Sequence, residues 1–229
     1  MPSKPHFTKS LFSFLRELTA NNRKSWFESN RDRYLHEVRE PAQRFISDFN
    51  PHLKQISRHF VADPRPVGGS LFRIHRDVRF SKEKSPYKTY VGIQFRHIDA
   101  RNAHTPSFYL HLEPDEVFVA TGIWHPDGST TRRIRERIVA DCSGWKRAVW
   151  NADFQDRFEM TGERLKRPPR GFDPGHPLVE DLMWKDYTAF SPLSEADVVR
   201  RGFLERFSEL CRIGAPLNRW LCRSLDLTY

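Results

Sequence analysis

Three cysteines in 229 residues, Cys142, Cys211 and Cys222, form no Cys-x-x-Cys pair and leave one over after any pairing. That excludes a disulfide framework and a zinc ribbon, and it fits a reducing compartment. No apolar run approaches the roughly 20 residues needed to cross a bilayer. Leu11, Phe12, Phe14 and Leu15 follow Lys4 and Lys9, but Arg16 and Glu17 interrupt them before they form the apolar centre of a signal peptide. The expectation is a cytoplasmic chain without a membrane span. Also missing are a Walker loop, a dinucleotide glycine fingerprint, a Gly-x-Ser-x-Gly elbow and a His-Glu-x-x-His pair, which removes the common nucleotide-hydrolysing and hydrolase templates. No helix-turn-helix, zinc finger or ribonucleoprotein motif is present, nor any internal repeat, heptad array or low-complexity tract. No pattern names a cofactor.

What the chain does have is cationic charge and aromatic bulk. Lys and Arg number 38 against 29 Asp and Glu, for a formal charge of +9, and 18 phenylalanines supply apolar material for a core despite a mean hydropathy of −0.68. A balance this basic favours an anionic partner: nucleic acid, a nucleotide, a phosphorylated metabolite or an acidic membrane face. The length suits one domain over 1–229, with a helical layer over 8–60, a sheet-forming region over 70–123 and a mixed helical and loop region over 129–229.

Leu11, Leu15 and Leu18, then Phe45, Phe49, Leu53 and Ile56, recur at helical spacing, with Pro51 kinking rather than ending the second run. The breaker cluster 63–69 closes the helical layer. Four strands are expected at Leu71–Ile74, Tyr90–His97, Ser107–Leu112 and Val117–Ile123, the last two joined by the turn Glu113-Pro-Asp-Glu116. Alternation puts Val91, Ile93 and Phe95 on one face and Gln94 and Arg96 on the other. It likewise sets Phe108, Leu110 and Leu112 against Tyr109, His111 and Glu113. The fold class is therefore α+β: a mainly antiparallel sheet covered on one face by N-terminal helices, with further helices in the C-terminal half. Those include a basic helix with Arg132, Arg133, Arg135 and Arg137, a short strand at Tyr187–Phe190, a helix opened by the box Ser194–Asp197 and running through Leu210, and a last helix over Leu217–Leu225.

The densest polar chemistry lies in LFRIHRDVRFSKEKSPYKTYVGIQFRH, from Leu71 to His97. Arg73, Arg76 and Arg79 are spaced by three, so a straight strand cannot put them on one side, and the chain must bend between Ile74 and Phe80. The bend gathers them with Lys82, Lys84 and Lys88 into a cradle for a phosphate or carboxylate, with Asp77 orienting a neighbouring arginine and Tyr87 beside it. The polar sheet face adds Arg96, Tyr109 and His111. An anionic small molecule or phosphoryl group is the expected ligand, with or without catalysis. Sequence-independent nucleic-acid binding, with Phe80, Tyr87 and Trp124 as stacking partners, and a scaffold role are the alternatives. His111 and Glu113 share a strand face, with His97 nearby, but a metal needs three or four convergent ligands, so none is assigned.

Several of these residues resemble a known family. FRIHRDVRFSKEKSPYKT from Phe72, FYLHLEP from Phe108, GIWHP from Gly122, LKRPPRGF from Leu165 and His176-Pro are similar to the bacterial and fungal family known as domain of unknown function 2461. Its RDxRFSKxKxPYK core here spans Arg76 to Lys88. The resemblance implies a single domain of about this length and marks out Arg73, Arg76, Asp77, Arg79, Lys82, Lys84, Tyr87 and Lys88. It implies no catalytic residue.

Overall fold

A computed structural model describes residues 5–79, 82–99 and 105–229. Its centre is a five-stranded antiparallel sheet of β1 (Val91–Arg96), β2 (Ser107–Glu113), β3 (Glu116–Ile123), β4 (Glu159–Thr161) and β5 (Tyr187–Leu193), in the order β1-β2-β3-β5-β4. The expected period-two pattern holds in register: Ile93, Leu110 and Val119 align across three strands and are fully buried. The turn after Glu113 pairs that residue with Glu116, as a two-residue hairpin loop requires.

Before the sheet come α1 (Lys9–Ala20), α2 (Lys24–Ser29) and α3 (Arg31–Arg33), which passes through a π-helical turn at Tyr34–Arg39 into α4 (Glu40–Ile56). Leu11, Leu15 and Leu18 of α1 and Phe45, Phe49 and Leu53 of α4 are buried, and Pro51 lies within α4 without ending it. After β3 come α5 (Gly128–Ala140), α6 (Cys142–Val149), α7 (Ala152–Arg157), α8 (Val179–Leu182), α9 (Glu195–Val198) and α10 (Phe203–Ser224). The apolar sheet face is covered jointly by N-terminal helices and α10. Phe49 of α4 lies 4.7 Å from Phe95 of β1 and 4.8 Å from Phe207 of α10. Gly214 lets α10 approach β3, since a Cβ there would stand 2.9 Å from Thr121 Cγ2, and the Thr121 hydroxyl donates to the Gly214 carbonyl. Asn218, also buried, accepts from the Gly122 N–H and donates to the Ser107 carbonyl, clamping β2 and β3 to the helix. No helix among the described residues is long and apolar enough to cross a membrane.

Three elements differ from expectation. Leu71–Ile74 is not a full strand: Leu71 bridges Ile93, then the chain leaves β1 and His75 bridges Tyr87 instead. Glu159–Thr161 is a strand because it can pair with β5, a long-range partner that local spacing does not show. The box at Ser194 and Asp197 forms as expected but caps only α9. Gly202, in the left-handed region at φ 85°, then precedes α10, which runs through Pro216 as one helix where two were expected.

Candidate functional site

Residues 74–79 and 82–88 form the two arms of a hairpin. Arg76 N–H donates to the Pro86 carbonyl and Lys88 N–H to the Ile74 carbonyl, so 74–76 runs antiparallel to 86–88; the bend expected between Ile74 and Phe80 ends on a residue outside those described. Within it, most of the charge has partners. Arg76 pairs with Glu83 at 2.6 Å and Arg79 with Asp77 at 2.6 Å. Lys84 donates to the Val78 carbonyl, and Lys88 to the Arg73 and His75 carbonyls at 2.6 and 3.1 Å. Asp77 is paired with Arg79, which holds its carboxyl down at about 2. The Arg73 and Lys82 side chains are exposed and have no hydrogen-bond or ion-pair partner among the described residues. Burial lowers the Lys88 ammonium, and Arg73 and Arg76 lower it further, which places these three cations within one field. Phe80 and Ser81 lie outside the described residues.

Tyr87 does not point into this cradle. It is 3% exposed, its ring stacks on Phe27 at 4.1 Å, and Asn22 hydrogen-bonds its backbone on both sides, so it anchors the hairpin to the helical layer. Arg96 lies apart as well. It lines a cavity of about 180 Å³ with Asp63, Arg65, Gly69, Ser70 and Gln94, and its charge is felt by Asp63. His97 lies away from His111, fully buried as a side chain and hydrogen-bonded to the Thr228 carbonyl. Of the three stacking candidates, Trp124 is at the surface, 47% exposed.

On the polar face of β2, Tyr109, His111 and Glu113 form a continuous chain. The Tyr109 hydroxyl lies 3.0 Å from His111 Nδ1, and His111 Nε2 lies 3.2 Å from Glu113 Oε2. The Thr89 hydroxyl donates to Glu113 Oε1 at 2.6 Å. An ionised carboxylate only accepts, so Nε2 carries the imidazole proton and Nδ1 accepts from Tyr109. His111 is 8% exposed and packed between two rings, Tyr90 at 4.6 Å and Phe118 at 4.7 Å. Phe118 in turn stacks on Phe190 at 4.5 Å, so the ring faces are spent on each other and the row presents edges outward. Burial pushes the His111 pKa down against the opposing pull of Glu113 and Glu116, keeping the ring neutral. Burial also raises Tyr109, which keeps its proton. Glu116 completes the group: one donor atom each from His111, Glu113 and Glu116 lies within 4.8 Å of the others.

The two halves meet at Tyr90. Burial raises its hydroxyl pKa, Glu113 adds to that, and Arg76 opposes it. Arg76 thus sits at the border between the basic hairpin and the imidazole network, while Arg96 does not join them. Thr89, Tyr90 and Glu116 were not candidates from sequence. Glu116 had a readable signal, since a two-residue turn after Glu113 sets the two glutamates opposite each other; Thr89 and Tyr90 had none.

These features define an α+β protein whose antiparallel sheet is helix-covered on one face and bears a Tyr-His-Glu network beside a basic hairpin on the other. The chain belongs to the DUF2461 family of conserved hypothetical proteins, whose profile matches residues 10–220. No curated protein matches it.

Proposed function

We propose that the basic hairpin and the adjoining polar sheet face bind an anionic small molecule, with Arg73, Arg76 and Lys82 taking the anion and Tyr109 and His111 facing the rest of it. The observation that carries this reading is the crowding of Arg73, Arg76 and Lys88: burial is the larger cause of the lowered Lys88 ammonium, and the two arginines add a repulsion that an incoming anion relieves. Among the described residues Arg76 has one carboxylate partner, the exposed Glu83, held through Nη1 alone, which a phosphate or carboxylate can displace by offering both oxygens to the guanidinium fork. Nucleic acid is the weaker reading, because Tyr87 is spent in the core and the sheet aromatics offer edges rather than faces to a base.

The test is a thermal-unfolding screen with phosphate, sulfate, citrate and short single-stranded DNA and RNA. A saturating small anion at 100 times its Kd stabilises the fold by about 2.7 kcal/mol. The expected result is a midpoint raised by one of the small anions and unmoved in Arg73→Ala/Arg76→Ala. No shift with any small anion, or the same shift in the double variant, overturns the reading; stabilisation by oligonucleotides alone replaces it with the nucleic-acid one.

A further inference from the structure

We propose that His111, Glu113 and Glu116 form a site for one divalent first-row transition ion of the Mn²⁺, Fe²⁺ or Zn²⁺ class. This stands on the three donors themselves and does not rest on anion binding at the hairpin. Imidazole suits zinc and iron while carboxylates suit manganese, so a mixed set of one nitrogen and two oxygens points to this class rather than to calcium or copper(I).

One pair of donors already stands at the spacing of a loaded site. Two donors each about 2.1 Å from a shared ion, at angles between octahedral and tetrahedral, stand about 3.0–3.4 Å apart. His111 Nε2 and Glu113 Oε2 are 3.2 Å apart. The widest spacing in the trio is below 4.8 Å, and Glu116 is exposed on the hairpin and free to close the remaining gap.

Supporting groups are in place for both first ligands. Tyr109 bonds the ring nitrogen of His111 that a metal would leave unused, and Thr89 bonds the Glu113 oxygen facing away from the ring, the arrangement that orients metal ligands. Tyr90 and Phe118 hold the imidazole from both sides, so its direction is set before any ion arrives.

A separate observation concerns charge. The chain carries a formal +9, yet neither Glu113 nor Glu116 has a lysine or arginine ion-pair partner among the described residues. Two carboxylates paired across one turn repel each other, and a divalent cation between them and a neutral imidazole relieves that repulsion. Three protein ligands leave coordination positions open for water or a ligand oxygen, as in catalytic rather than structural sites. Ligation takes the lone pair of Nε2, so its proton moves to Nδ1, which then donates to the Tyr109 oxygen.

The experiment strips the purified chain with chelator, then titrates it with Mn²⁺ and Zn²⁺ separately by calorimetry, following the histidine ring nitrogens by NMR during the Zn²⁺ titration. The expected result is one ion per chain, with the His111 proton shifting from Nε2 to Nδ1. Affinity should fall at least tenfold in Glu116→Gln and about tenfold in Tyr109→Phe. Glu116 is exposed, so its variant reports on binding even if a substitution at buried His111 impairs folding. No saturable binding of either ion overturns the proposal, as does equal affinity in Glu116→Gln or a His111 ring whose protonated nitrogen does not change.

Discussion

Gly92 faces His111 directly across the β1–β2 pair, and replacing it with alanine strikes the imidazole network without substituting any of its members. A Cβ at this position would lie 2.7 Å from the Tyr109 hydroxyl oxygen and 2.9 Å from Phe72 Cδ2. Phe72 is 36% exposed and can swing outward. Tyr109 cannot yield as cheaply: its ring is flanked by Phe72 at 5.7 Å and Phe118 at 6.0 Å, and its hydroxyl is bonded to His111. Overpacking costs about 1–3 kcal/mol, and losing the Tyr109–His111 bond adds about 1 kcal/mol. Alanine recovers about 0.5–1 kcal/mol through reduced freedom of the unfolded chain. The net is about 1–3 kcal/mol. With an unfolding entropy of about 2.1 cal/mol/K per residue, a chain of this length should lose roughly 2–6 °C in midpoint. Thermal unfolding by circular dichroism measures the loss, and the His111 ring-nitrogen shifts should move because Nδ1 loses its donor. Tyr109→Phe removes the atom that the new methyl strikes, so Gly92→Ala should cost about 1 kcal/mol less in that background. A Gly92→Ala protein with an unchanged midpoint and unmoved His111 signals would refute the close-approach argument.

Asn218→Ala leaves the Gly122 N–H and the Ser107 carbonyl buried without a partner, at about 1–3 kcal/mol each, so the midpoint should fall by roughly 4–12 °C; a loss below 1 °C would remove the clamp from the account of how α10 holds the sheet. Burial raises the Cys211 thiol well above its usual range and pushes Cys222 up to about 12, whereas Cys142 is half-buried. Because only the thiolate reacts, a thiol reagent at pH 8 should label one cysteine in the native chain and three in denaturant; rapid native labelling of two or three would contradict that packing.

Much of the architecture was legible because its signals are local. Alternation of Ile93 with Gln94 and of Leu110 with Tyr109 and His111 named the faces of β1 and β2, and the turn at Pro114 and Asp115 named the hairpin. The spacing of the three arginines required the bend after Ile74. What escaped depends on partners far along the chain: β4 exists through β5, and the continuity of α10 past Pro216 depends on packing against β3 and α4. The site divides the same way. Its cations were visible, but not that Lys84 and Lys88 would be tied to backbone carbonyls, or that Arg96 would sit over a separate cavity beside Asp63.

By itself, then, the order of residues determined the periodicities, the faces and the turns, because each depends on neighbours within a few positions and on the steric limits of the backbone. Only the tertiary structure decided which charges are spent and which remain available, because pairing depends on which groups the two arms of the hairpin bring side by side. It turned Tyr87 from a candidate ligand contact into an anchor on Phe27. It also brought Thr89 to Glu113 and Tyr90 to His111, contacts that no local spacing announces because they join the chain before β1 to β2.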